Sequence, residues 1–153
     1  MAIDGSLSRD ARPDTDVERG SIEYRLHERE RFLRTLIANL PGVVYRCRTD
    51  EQWTTEFVSA GVRFVGYAPE DFVGTRRVSW TDIMHRDDRE QVRTAIRDLV
   101  DSNLPFTTAT HVVSYRLVAA SGELKDVRDS FRFVYDERGA PVALEGVITT
   151  SPS

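Results

Sequence analysis

The sequence is poor in the residues that most often announce chemistry. Cys47 is the only cysteine, which excludes an internal disulfide and fits a reducing, cytoplasmic compartment. The three histidines, His27, His85 and His111, show no HxxxH or paired Cys/His spacing, so no metal site is expected. Glycine-rich phosphate loops and nucleophile elbows are absent; "GYAPEDFVG" has the wrong glycine spacing for either. No apolar run approaches the roughly 20 residues of a membrane helix, and the N-terminus has no apolar signal core. Lys125 is the only lysine, a bias toward arginine that reads as composition and not function. A net charge of −4 and a pI near 5.4 argue against a broad nucleic-acid footprint.

What remains is an ordinary globular composition. The 153 residues, 40% hydrophobic and 30% charged, suit one domain with its own core and some tail. Residues 1–20 are polar and aperiodic and read as a disordered leader. Residues 21–40 read as an amphipathic helix, with Ser21 as N-cap and Pro41-Gly42 as stop. Ile22, Leu26, Arg29, Leu33, Leu36 and Leu40 follow alternating steps of four and three, the seam spacing of a coiled coil. Two outcomes stay open for this stripe. It pairs with a second copy through Leu26, Leu33 and Leu36, or it packs on its own domain.

Beyond Gly42 the texture changes. "VVYRCRT" and "WTTEFVS" alternate like a hairpin, and "ATHVVSYRLV", "LKDVRDSFRFVY" and "APVALEGVIT" read as three further strands. Between the two groups lie short helical pieces and one longer amphipathic helix, "DDREQVRTAIRDLVDSN". Strands clustered at both ends with helices between predict an α+β domain, one antiparallel sheet with helices on one face. The run "IMHRDDREQV" concentrates a histidine and three carboxylates. Its simplest reading is a helix start, with Asp87 as cap and Glu90 reaching back. A small enzyme built on His85, Asp87 and Asp88 is a remote alternative, and an inward Arg116 would pair with Asp88 or with a carboxylate ligand.

Four motifs in order, "GYAPEDF", "HRDDR", "YRL" with "SGE", and "ERGAPVALEGVIT", make the stretch from Asn39 to Thr149 closely resemble a PAS domain, of the PAS fold-3 type found in prokaryotic sensor proteins. The resemblance implies a five-stranded antiparallel sheet with short helices over residues 41–149, preceded by the 21–40 helix and followed by a tail at 150–153. It departs from the family at Arg86, where proline is usual, at Asp126, where tryptophan is common, and at "GVITTSPS", which lacks the family's closing aspartate.

Function follows as implication. The resemblance implies a non-catalytic sensory module, the input part of a sensor histidine kinase or diguanylate cyclase. Such a module acts through homodimerisation by its leading helix and through a small ligand held between sheet and helices. The alternative is a stand-alone interaction protein that only dimerises or binds a protein partner. A cavity would be lined from Tyr45, Phe57, Phe64, Trp80, Ile83, Ile96, Tyr115, Phe131 and Phe133. Haem-binding members carry a histidine on the long helix, and light-sensing members a cysteine in a motif like "NCRFLQ". Neither pattern occurs here, so haem and flavin are not expected and an unidentified small ligand is left. An effector domain or partner protein is expected; nucleic acid, and a membrane span within this chain, are not.

Overall fold

The computed structural model describes residues 3–102 and 109–151, with side chains of the first helix from Asp16 onward. Residues 1–2 of the expected leader and 152–153 of the expected tail lie outside the described residues. The chain divides into two compact units, Met1–Asn39 and Leu40–Ser153.

The first unit is one helix, α1 (Ile3–Asn39). It begins well before Ser21, so Ser21 is an interior residue and not a cap, and the stretch read as a disordered leader is helical from Ile3. Gly20 costs the helical backbone about 1 kcal/mol relative to alanine and does not stop the ladder between Val17 and Ser21. Ile22, Leu26, Leu33 and Leu36 are all exposed on it.

The second unit is a five-stranded sheet with helices inserted between its second and third strands. Its strands are β1 (Val43–Arg48), β2 (Thr55–Val58), β3 (His111–Val118), β4 (Leu124–Tyr135) and β5 (Pro141–Thr150), in the order β2-β1-β5-β4-β3 and all antiparallel. A 3-10 turn (Ala60–Val65) and helices α2 (Pro69–Phe72), α3 (Trp80–Ile83) and α4 (Arg86–Asp101) fill the insertion. The α+β reading and the five-stranded sheet are borne out. Alternation decides which side chains go inward: Val43, Tyr45 and Cys47 on β1, and Val127, Asp129, Phe131 and Phe133 on β4, are buried.

β2 breaks the alternation and corrects one expectation. A register shift between Arg46 and Cys47 leaves both Thr55 and Val58 facing the core. Phe57 pairs with Arg46 on the outer face and is 42% exposed, so it lines no cavity. The same face carries an ion-pair ladder in which Arg46 binds Glu56 at 2.9 Å and Glu145 at 2.6 Å, while Arg48 binds Glu56 at 3.0 Å.

The start of α4 is a second correction. Its N-cap is His85, whose Nδ1 accepts the Asp87 N–H at 3.1 Å; Asp87 lies within the first turn and its side chain is 72% exposed. Asp88 makes the strong contact instead. Its Oδ2 accepts the Arg116 backbone N–H at 2.9 Å and Nε at 3.0 Å, and its Oδ1 accepts Nη2 at 2.8 Å. The His85 N–H closes the junction by donating to the Arg116 carbonyl at 2.8 Å. Four hydrogen bonds thus tie the N-terminus of α4 to β3.

His85→Ala should therefore lower the free energy of unfolding by about 0.5–2 kcal/mol, as loss of other side-chain caps does. Asp87→Ala should stay within about 0.5 kcal/mol of the parent. Urea denaturation of both variants checks the pair; the reverse ranking would return the cap to Asp87.

Candidate functional site

A cavity of about 60 Å³ lies between the sheet and the helices of the second unit. The sheet supplies its floor from inward positions: Tyr45 and Cys47 of β1, Tyr115 of β3, Asp129 of β4, and Leu144 and Ile148 of β5. Its wall comes from Trp80 and Thr81 of α3, Met84 just after it, and Arg89, Val92, Arg93 and Ile96 of α4. Those four α4 positions fall at steps of three and four, so one helix face supplies them. Trp53, in the turn between β1 and β2, completes the wall at a left-handed φ of 53°. Asp50 holds that turn by accepting the Thr54 N–H at 2.9 Å and hydroxyl at 2.7 Å.

Of the residues expected to line a cavity, Tyr45, Trp80, Ile96 and Tyr115 do so. Ile83, Phe131 and Phe133 are buried in the core away from it, and Phe64 packs half-buried against that core. Sequence reasoning missed Asp129, the most consequential of the lining residues. A signal was present: Asp129 falls in the inward register set by Val127, Phe131 and Phe133, where an unexplained carboxylate should have stood out.

Asp129 is 5% exposed and accepts hydrogen bonds from two phenols. The Tyr45 hydroxyl lies 2.9 Å from Oδ1 and 3.1 Å from Oδ2, and the Tyr115 hydroxyl lies 2.9 Å from Oδ2. Burial raises the Asp129 carboxyl to about 7, while the two phenol donors pull in the opposite direction. Both tyrosines are raised well above their ordinary value, first by burial and then by the charge of Asp129. Tyr45 reaches Asp129 across β5 because Gly146 stands between them. A Cβ at Gly146 would lie 2.6 Å from the Ser130 carbonyl, 2.9 Å from the Phe131 Cβ and 3.0 Å from the Tyr45 ring.

The other candidates have structural roles. Cys47 is buried, 3.8 Å from the Thr55 hydroxyl, and burial pushes its thiol up to about 12, so it stays protonated and unreactive. Asp82 forms a capping box with Ser79 at the start of α3. The Arg116 guanidinium holds the Asp88 carboxyl below the usual range, and neither Asp88, His85 nor Asp87 lines the cavity. Among the described residues no group of three or more histidine, cysteine or acidic side chains could hold a metal ion.

Two expected outcomes follow. Gly146→Ala should destabilise the fold by about 1–3 kcal/mol, because its β-carbon meets backbone and not a yielding side-chain tip. Near-ultraviolet circular dichroism should also report a displaced Tyr45. Asp129 in turn gives stability a defined pH slope. Its folded value lies above its unfolded value, so the folded state holds the proton longer and stability falls as pH rises from about 4 to about 7. At roughly 1.4 kcal/mol per unit the full effect is on the order of 4 kcal/mol. Asp129→Asn should flatten that slope and raise the melting temperature above pH 7; an unchanged slope would show that another group sets it.

Comparison with known proteins agrees with this architecture. The first unit lies outside the match, whereas residues 55–148 match the family model of the PAS fold. A methyl sulfide methyltransferase-associated sensor of Methanosarcina acetivorans is 29% identical over 119 residues, covering 78% of this chain and 11% of that protein. The chain thus spans about a tenth of that relative's length. A PAS domain from a two-component sensor histidine kinase superposes with a TM-score of 0.60 at 16% identity, covering 82% of this chain and 98% of that one. The N-terminal domain of a diguanylate cyclase with a PAS/PAC sensor, from Marinobacter aquaeolei, gives 0.58 at 18% identity, covering 71% and 94%. The antiparallel sheet, the inserted helices and the family match together make this chain a member of the PAS-fold family.

Proposed function

We propose that the chain is a non-catalytic sensory module that binds a small ligand between sheet and helices and passes the signal on as a homodimer through α1. The observation that carries the reading is the cavity with Asp129 in its floor. An ionised carboxylate in an apolar core is costly unless something compensates it, and a site that binds a ligand is one place where such a cost persists. Family membership supports the sensory role, as does the relative named as a sensor. PAS domains of a histidine kinase and of a diguanylate cyclase share the fold, and an effector of either kind is the output this reading expects. The same reading takes the chain to be cytoplasmic; no helix among the described residues is long and apolar enough to cross a membrane.

The dimer rests on the exposed stripe of α1. Leu26 is 53% exposed, Leu33 55% and Leu36 45%, at steps of seven and three along one helix face. A two-fold pairing covers such a stripe with its own copy, since the same surface serves both subunits. Arg29 sits within the stripe and weakens the seam.

Analytical ultracentrifugation of the whole chain at tens of micromolar should show a dimer. The double substitution Leu33→Glu, Leu36→Glu should sediment as a monomer with an unchanged circular dichroism spectrum of the sheet. A parent chain that sediments as a monomer would remove α1 as the relay. Native mass spectrometry of the same sample tests the cavity, where a stoichiometric small molecule is the expected finding.

A further inference from the structure

Three polar groups on the cavity are unaccounted for by the fold. The first is Asp129. A carboxylate offers about four lone-pair sites, and the two phenols bring only two protons to them. No arginine or lysine among the described residues offsets its charge; burial and the two phenols account for its shift. The second is the indole Nε1 of Trp80, buried and without a hydrogen-bond partner. The third is Arg93 of α4, which lines the cavity. Its neighbour Arg89 is committed, donating to the Met84 carbonyl at 3.0 Å and the Asp82 carbonyl at 3.1 Å. Arg93 has no hydrogen-bond or ion-pair partner among the described residues.

The site therefore has two poles. At the floor, Asp129 and the phenol oxygens of Tyr45 and Tyr115 are acceptors, flanked by the aromatic faces of Tyr45, Trp80 and Tyr115; such surroundings suit a cation. On the helix side, Arg93 is a donor, and it suits an anion. A plain ammonium ion would leave that donor idle beside a like charge, and a plain carboxylate would meet Asp129. A molecule carrying both charges a few bonds apart uses both poles. Size narrows the choice. The cavity is small, about 60 Å³, so the smallest amino acids, glycine and alanine, are the fitting probes.

We propose that the cavity binds a small zwitterion of the amino-acid type, its ammonium on Asp129 and its carboxylate toward Arg93. This rests on the reading of the cavity as a ligand site and goes further by naming the ligand class. Binding holds Asp129 ionised by placing a positive charge against it. It also bridges β4 in the floor to α4 in the wall.

Isothermal titration of the full chain with glycine, L-alanine, ethylammonium chloride and sodium acetate tests the proposal. Glycine or alanine should bind saturably and raise the melting temperature, with ethylammonium and acetate each at least about tenfold weaker. Asp129→Asn and Arg93→Gln should each raise the dissociation constant by about tenfold or more. Arg93 is half-buried on a helix surface, so its variant is expected to fold even if Asp129→Asn does not. Ethylammonium or acetate binding as tightly as the amino acids, or Arg93→Gln binding like the parent, would overturn the proposal. So would an absence of saturable amino-acid binding up to tens of millimolar. If native mass spectrometry then reveals a different bound molecule, the sensory reading stands while the zwitterion fails; an empty cavity in both experiments removes the two together.

Discussion

The second unit is organised around one costly group, the Asp129 carboxylate in the middle of an apolar sheet face. Two phenols from different strands converge on it, and each requires something of its neighbours. Tyr115 reaches it diagonally from the adjacent strand, because Tyr115 pairs with Val127, two positions before Asp129. Tyr45 must cross an entire strand, and only a residue without a side chain can lie beneath its ring. Gly146, paired with Tyr45 on one side and Phe131 on the other, meets that requirement. A one-residue slip in any of these pairings would turn the carboxylate or a phenol to the outer face. The register of four strands, β1, β5, β4 and β3, is thus tied to the satisfaction of one buried carboxylate.

The wall of the cavity is located differently. α4 is fixed at its N-terminus, where His85 caps the helix and Asp88 grips Arg116 through the backbone and the side chain at once. Backbone bonding at this point makes Met84 and Leu117 a bridge between the helix junction and the sheet. From there the helix lies over the floor by apolar packing of Val92 and Ile96. Arg86 stands where the family usually has proline, and the cap forms without it, because His85 already has the extended backbone that a residue before the first turn needs.

Much of the fold was legible in the sequence, and for stated reasons. Strand-like patterning marked all five strands, with period-two alternation cleanest on β1 and β4, whereas β2 and β5 break it. A short helical pattern marked α3, and apolar spacing marked α4. The exceptions have identifiable causes. Phe57 reads as an inward aromatic, but a one-residue irregularity opposite it reverses the face, and nothing in "WTTEFVS" announces an irregularity. Asp87 reads as the better cap than a histidine on composition alone; the outcome depended on Asp88 being drawn onto Arg116, a contact 28 residues away in sequence. The cavity was half legible. Aromatic inward positions identified Tyr45, Trp80 and Tyr115, whereas Asp129 was hidden by the habit of assigning strand carboxylates to the solvent face. Arg93 and Arg89 were hidden by their place on a helix whose charged residues usually face water.

Floor and wall differ in how they can respond to an occupant. Each floor strand is hydrogen-bonded into the sheet, and a shift of Tyr45 or Asp129 along its strand would break a ladder of bonds on both sides. α4 has no such ladder to the sheet beyond its first turn. Its remaining hold is the apolar stripe of Val92, Ile96, Leu99 and Val100, and apolar packing is less directional than a ladder of hydrogen bonds. The helix is therefore the less tied of the two sides. The strand that carries Tyr45 begins four residues after the last residue of α1. Covalent continuity thus places one of the two phenols that satisfy Asp129 on the segment leading directly from the dimer-forming helix proposed above.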